Sequence, residues 1–128
     1  MSVNSIELCD NPAIAGRAER YMTVRVDTAR ILQSWRESLM AHEWLTPEGT
    51  VREPDGMNML DRDKILKVRK ALQSGSSLPR PVLGIGILDN VEIGAGRDVF
   101  CVLAAMGASV IDVHIPRSNE AEFVPYLA

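Results

Sequence analysis

The residues of this chain best placed to do chemistry are Gly94, Ala95, Gly96, Arg97 and Asp98, inside the run VEIGAGRDVFCVLAAMG at positions 91–107. A short apolar stretch runs into a glycine-rich turn, and the turn runs into an apolar helical pattern. The first N–H groups of a helix have no intrahelical acceptor, and the helix dipole adds partial positive charge there. An anion such as a phosphate group is the ligand such a turn accepts. Arg97 adds a guanidinium to those N–H groups. Asp98 opposes a phosphate unless a cation stands between them. The plainer reading is that Gly94 and Gly96 permit a tight turn and that Arg97 pairs with Asp98 or with solvent.

Better-known motifs fail on particular residues. A dinucleotide fingerprint needs a third glycine where Val99 stands, and a P-loop needs a lysine followed by serine or threonine after the glycines. His42-Glu43 imitates the start of a metalloprotease helix, but Thr46 occupies the second histidine position and Pro47 breaks the helix beyond it. The only histidines are His42 and His114, so a multi-histidine metal site is not expected; His42 reads as a helix-end residue and His114 as a strand side chain. Cys9 and Cys101 lie in no metal or redox spacing, and Cys101 reads as a small apolar packing residue.

Several elements must position these residues. Residues 1–20 lack periodicity and contain Asn11-Pro12 and Gly16, which predicts an irregular or partly disordered N-terminal arm. A single domain then covers 21–128. Met22–Val26 reads as a strand with Val24 and Val26 on one side, and Asp27 or Thr28 can cap the helix that follows. That helix carries Ile31, Leu32, Trp35 and Leu39 at helical spacing and is expected to end near Ala41, with Trp35 in the core. Leu45–Asn58 is rich in turn residues and predicts a long surface loop enclosing a short hairpin at Thr50–Arg52.

Asp61 or Asp63 starts a second helix with an apolar stripe of Ile65, Leu66, Val68 and Leu72, stopped at Gly75. Its basic residues Arg62, Lys64, Lys67, Arg69 and Lys70 point to several sides and read as a solvated face, with a phosphate-contacting surface as the alternative. Val82–Leu88 is almost wholly apolar, as in a central strand. Asp89-Asn90 signals a turn, Val91–Ile93 a paired strand, Arg97–Met106 a helix capped by Gly107, and Val110–Ile115 a strand ended by Pro116. A short helical turn around Phe123 and Tyr126 closes the chain.

With 128 residues, 46% hydrophobic and 24% charged, the composition is that of an ordinary globular domain. A chain of this length buries roughly two-thirds of its unfolded surface, so neither disulfides nor metal are required for folding. A net charge of -3 supplies no global field for nucleic acid. No apolar run approaches the roughly 20 residues of a membrane span. Acidic Glu7 and Asp10 stand where a signal peptide would be basic and then apolar. A cytoplasmic protein with reduced thiols and no membrane partner is expected.

In the order of its elements, Met22–Pro116 resembles the ParB/sulfiredoxin-like superfamily, most closely over Pro81–Ile115. Members place a helix, a short apolar strand, a turn, a strand ending in a glycine motif, a helix with glycine and a further strand. Here these are Asp63–Leu72, Arg80–Leu83, Asp89-Asn90, Val91–Gly96, Arg97–Gly107 and Val110–Ile115. The resemblance implies an α+β fold, a small mixed β-sheet with two to three packed helices. Gly96 matches the motif glycine. The next three positions carry Glu-Arg-Arg in nucleotide-binding members, which engages triphosphate and metal, and Cys-His-Arg in sulfiredoxin, whose cysteine is the nucleophile. In this chain they are Arg97, Asp98 and Val99, and Cys101 falls a helical turn beyond the nucleophile position.

The resemblance and the altered motif together imply a degenerate, non-catalytic regulatory or interaction protein, acting through a protein partner or self-association. It would retain a weak pocket at Gly94–Asp98 for a phosphate or a nucleoside triphosphate with Mg2+. Two alternatives stay open. One is a divergent metal-dependent nuclease or nucleotide hydrolase using Arg97, Asp98 and carboxylates such as Asp61 or Asp63. The other is a DNA-binding partition-type module, which the acidic balance disfavours.

Overall fold

A computed structural model describes residues 6–128. In chain order its elements are β1 (Leu8–Cys9), β2 (Tyr21–Asp27), α1 (Thr28–Trp35), α2 (Met59–Gln73), β3 (Leu78–Pro79), β4 (Val82–Ile85), β5 (Val91–Ala95), α3 (Arg97–Ala105), β6 (Val110–Pro116) and α4 (Glu120–Phe123). The main sheet has the order β2-β6-β4-β5, and β1 and β3 form a separate parallel pair. β2 runs antiparallel to β6, β6 parallel to β4, and β4 antiparallel to β5. This is a small α+β domain with a mixed sheet and four helices, the fourth a single turn.

Alternation along the strands selects one face for the core. Val26 on β2, Leu83 on β4, Ile93 on β5 and Ile111, Val113 and Ile115 on β6 are buried, while Thr23 and Arg25 are exposed. The buried helix residues Ile31, Trp35, Phe100 and Leu103 join the same cluster. Trp35 meets Phe100 edge to face, with centroids 6.4 Å apart and planes at 79°, the preferred arrangement of two ring quadrupoles.

The caps sit where the side chains can satisfy orphaned N–H groups. Asp27 Oδ1 accepts from the Arg30 N–H at 3.0 Å. Asn58 does the same for Asp61 at 2.9 Å and starts α2 at Met59, two residues before Asp61. Gly75 and Gly107 follow their helices with φ of 75° and 92°, the left-handed conformation that ends a helix and favours glycine.

Four expectations are corrected. α1 ends at Trp35 rather than near Ala41, because Ser38 Oγ donates to Glu92 Oε1 on β5 at 2.7 Å and ties the chain there as a turn; Leu39 is left exposed. The apolar run Val82–Leu88 is a strand only to Ile85. Gly86–Asn90 forms the connecting turn, closed by the Gly86 N–H on Asn90 O, and Ile87 is 97% exposed. Leu66 does not belong to the buried stripe of α2, which consists of Asp61, Ile65 and Val68.

The fourth concerns the N-terminal arm, whose residues 1–5 lie outside the described residues. From Leu8 onward the arm is pinned rather than loose. Leu8–Cys9 pairs with Leu78–Pro79, Ile14 is buried, and Asn11 Nδ2 donates to Arg80 O at 2.8 Å. Strand pairing to a segment 70 residues away is invisible to local periodicity.

Candidate functional site

The Gly94–Asp98 turn is built by a register irregularity in the β4–β5 hairpin. Val82 pairs with Ala95 and Leu83 with Ile93, so Gly94 is the extra residue of a β-bulge. The chain then turns through Gly96, whose φ of 81° is left-handed. A Cβ built at Gly96 would stand 2.9 Å from Pro81 Cα, so both conformation and space require glycine there. Gly94 is different: its nearest neighbour would be Val82 O at 3.7 Å, an ordinary contact.

A cavity of ≈ 280 Å³ lies over this turn, lined by Gly94–Asp98 together with Trp44 and Lys64. Trp44 is itself a buried residue, packed in the core beside the 3-10 turn Ala41–Glu43, and Lys64 projects from α2. Sequence reasoning missed Trp44 and named Lys64 only within a basic cluster. Lys64 was one of five basic residues on a mixed helix face, and only the packing of α2 on α3 distinguishes it from the other four.

The two charged residues of the turn are committed locally. Arg97 Nε donates to Ile93 O at 2.9 Å, which corrects the expected pairing with Asp98 or solvent. That bond engages one edge of the guanidinium and leaves its terminal nitrogens as donors. Asp98 Oδ1 accepts from the N–H of the next residue, Val99, at 2.9 Å, inside the first turn of α3, whose N-cap Gly96 has no side chain to cap it. The Arg97 and Asp98 N–H groups, in the first turn, have no acceptor within the helix. The electrostatics of the cavity are therefore two cations and two amide dipoles against one carboxylate.

The carboxylates invoked for an enzymatic reading do not gather here. Asp61 is buried at the base of α2 and accepts from Asn58 Nδ2 at 2.8 Å, and Asp63 lines a separate depression with Arg62 and Leu66. Among the described residues no group of three or more His, Cys, Asp or Glu side chains is arranged to hold a metal ion. Cys101 is fully buried, and that burial, reinforced by Asp98 and Asp61, pushes its thiol far up and keeps it protonated. It is a packing residue.

His114 forms a second polar centre, on the other face of the sheet. Its Nε2 accepts the Asn11 backbone N–H at 3.2 Å, so its proton resides on Nδ1, which lies 3.3 Å from Thr23 Oγ1 and donates to it. Asp10 Oδ1 is 3.9 Å from Nε2 and accepts from Arg80 Nη1 at 2.8 Å. Burial lowers the His114 pKa; Asp10 acts in the opposite direction and Arg80 reinforces the lowering. Thr23 and His114 resemble a hydroxyl with its base, but the Nε2 lone pair is occupied by Asn11 and Nδ1 is a donor, so His114 cannot take the threonine proton. His42 sits inside the 3-10 turn Ala41–Glu43 with Nδ1 3.0 Å from Leu39 O, not at the end of α1, which stops at Trp35.

Fold and site together define a small α+β domain with a bulged glycine turn beneath a lysine. Comparison with protein-family models, curated proteins and solved structures found no match for this chain. No helix among the described residues is long and apolar enough to cross a membrane.

Proposed function

We propose that this chain is a non-catalytic regulatory or interaction protein of ParB/sulfiredoxin-like type that holds a phosphate group at Gly94–Asp98. The observation that carries this reading is Lys64, which α2 brings to the same ≈ 280 Å³ cavity as the glycine turn and the start of α3. A cavity of that size is at the small end for a ligand site, where sites commonly run from about 300 to 1,000 Å³. It takes phosphate groups and leaves a nucleoside outside. The order of α2, β4, the turn, β5, Gly96, α3 and β6 supports the family reading.

The residues present fit a triphosphate better with Mg2+ than without it. Asp98 is the one carboxylate lining the cavity and repels a bare phosphate. A divalent cation between them would reverse that sign, since Mg2+ is commonly held by one carboxylate and the phosphate oxygens. Lys64 and Arg97 would balance the remaining charge. The family's nucleophile position is not supplied with a thiol here: Val99 is apolar and Cys101 is buried.

Melting curves with inorganic phosphate, tripolyphosphate, CTP, ATP and GTP, each with and without Mg2+, test the pocket. At a ligand concentration about 100 times Kd, linkage stabilises the folded state by ~2.7 kcal/mol, a shift of several degrees. The expected result is a shift with the polyphosphates, largest with Mg2+, that Lys64→Ala removes. No shift with any of them would end the phosphate reading.

A further inference from the structure

Residues 6–15 are fastened to the rest of the chain by a short set of bonds centred on His114. The Asn11 backbone N–H donates to His114 Nε2 at 3.2 Å, and Asn11 Nδ2 donates to Arg80 O at 2.8 Å. In the other direction the Leu78 and Arg80 N–H groups donate to Glu7 O and Cys9 O at 3.5 and 2.8 Å. Asp10 Oδ1 accepts from Arg80 Nη1 at 2.8 Å, Leu8 packs against the core and Ile14 is buried. The segment ends at Gly16, which has a left-handed φ of 83° and open space around a Cβ built on it. Beyond Gly16 the chain is held separately, by Arg117 Nε donating to Glu19 O at 3.0 Å and by Arg17 over the Tyr21 ring. Gly16 therefore divides the pinned segment from the entry to β2.

The Asn11–His114 bond exists in one protonation state only. Once Nε2 carries a proton, two donors face each other at 3.2 Å and a charge stands on a buried residue. The groups around the ring decide whether that charge is tolerated. Asp10, on the segment itself, favours it, but the Asp10 side chain is 76% exposed, already paired with Arg80 and 3.9 Å from Nε2. Arg80, on the β3–β4 connection, opposes it. On β2, Thr23 stands opposite His114, with Tyr21 and Arg25 beside it on the same face; Arg25 is paired with Asp112 of β6 at 3.1 Å. β4 places the uncharged Val82 opposite. Burial outweighs the Asp10 attraction, so the docked imidazole titrates below its ordinary value.

We propose that residues 6–15 form a latch that protonation of His114 opens: as the pH falls below neutral, the segment lets go of His114 and Arg80 and swings out about Gly16 while the four-stranded sheet stays in place. Undocking puts Nε2 in water, where the imidazolium is solvated, so the open form binds the proton more tightly than the docked one. The docking equilibrium then weakens by up to about tenfold per pH unit below about pH 6.5, until the docked imidazole itself titrates. Opening bares the edge of β3, where the Leu78 and Arg80 N–H groups lose their acceptors. No residue of the phosphate cavity takes part, so the latch and the phosphate reading stand or fall separately.

Amide hydrogen exchange of the full chain between pH 8 and pH 5, each rate taken relative to that of an unstructured peptide at the same pH, tests the latch. The Asn11 and Arg80 amides should be less protected than the amides of the β2–β6 ladder, because they open with the segment rather than with the whole fold. Their protection should fall together, by up to about tenfold per pH unit below about pH 6.5. His114→Gln, whose side-chain oxygen can accept the Asn11 N–H without titrating, should make that protection independent of pH. Asp10→Asn removes both the attraction for the imidazolium and the hold on Arg80, and should move the loss to higher pH. Wild-type Asn11 and Arg80 amides protected as strongly as the ladder, or protected equally at pH 8 and pH 5, would overturn the latch. So would a loss that persists unchanged in His114→Gln, which would assign the titration to another group. Asp10→Asn alters an exposed side chain, so an unmoved pH profile in that variant counts against the latch even where His114→Gln does not fold.

Discussion

The backbone N–H of Asn11 donates to Nε2 of His114 at 3.2 Å, a bond between residues 103 positions apart. It joins the N-terminal segment to the second sheet strand and holds His114 as the neutral Nδ1–H tautomer, because a protonated Nε2 would set donor against donor. Asn11 Nδ2 on Arg80 O and the pairing of Leu8 with Leu78 complete the same attachment.

This bond gives stability a pH dependence with a definite sign. The His114 pKa is lowered in the folded state below its ordinary value of 6.5, chiefly by burial. The folded protein therefore binds fewer protons than the unfolded chain. Stability from this group is fully present above about pH 6.5 and falls as the pH drops from there toward the folded pKa, by at most ~1.4 kcal/mol per pH unit. Urea midpoints between pH 8 and pH 5 should show this loss, and His114→Asn should flatten it. Because Asp10 favours the charged form, Asp10→Asn should steepen it. Equal pH profiles for wild type and His114→Asn would mean that the imidazole is not held neutral.

Gly96 and Gly94 should separate sharply on substitution. Gly96→Ala forces a left-handed φ on alanine and places its Cβ 2.9 Å from Pro81 Cα, a combined cost of about 2–4 kcal/mol. Gly94→Ala meets only Val82 O at 3.7 Å and should change stability by less than ~1 kcal/mol. Denaturant titration of both variants measures the difference. Equal losses would show that the turn is not held as described.

Asp98 should trade stability against anion affinity. Asp98→Ala removes the carboxylate that complements the first turn of α3 and accepts the Val99 N–H, and should cost about 0.3–1 kcal/mol. The same change removes the negative charge at the cavity, so the melting shift with tripolyphosphate in the absence of Mg2+ should grow. A smaller shift in Asp98→Ala without Mg2+ would mean that the anion does not approach this helix start.

The two thiols should react very differently. Cys9 is exposed and Cys101 is buried. A thiol reagent added to the native protein should modify Cys9 quickly and Cys101 only at the rate of unfolding. Fast modification of both thiols in native buffer would contradict the packing of α3.

Much of the fold was legible because local rules were obeyed. Period-two alternation at Met22–Val26 and Val110–Ile115 marked the two strands that pair as β2 and β6, Asp27 and Gly75 marked helix ends, and Gly96 and Gly107 bracketed α3. Errors arose where a distant partner overrode a local pattern. The helical spacing of Ile31, Leu32, Trp35 and Leu39 ran past the true end of α1 because Ser38 is captured by Glu92, and the apolar run to Leu88 hid a turn whose tip lies in solvent.

By itself the sequence determined the strand–turn–helix at Val91–Gly107, since backbone freedom at glycine and the apolar period of α3 are properties of neighbouring residues. It also determined that position 99 offers a phosphate nothing, because the valine side chain is apolar, whereas the inertness of Cys101 comes from its burial and so from packing. Tertiary structure alone decided that Lys64 and Trp44 share the cavity with Gly94–Asp98, that Arg97 turns to Ile93 O, and that His114 is locked by Asn11. Those are meetings between residues far apart in the chain. Their geometry depends on how helices and strands pack once apolar faces are buried, and no local periodicity encodes that.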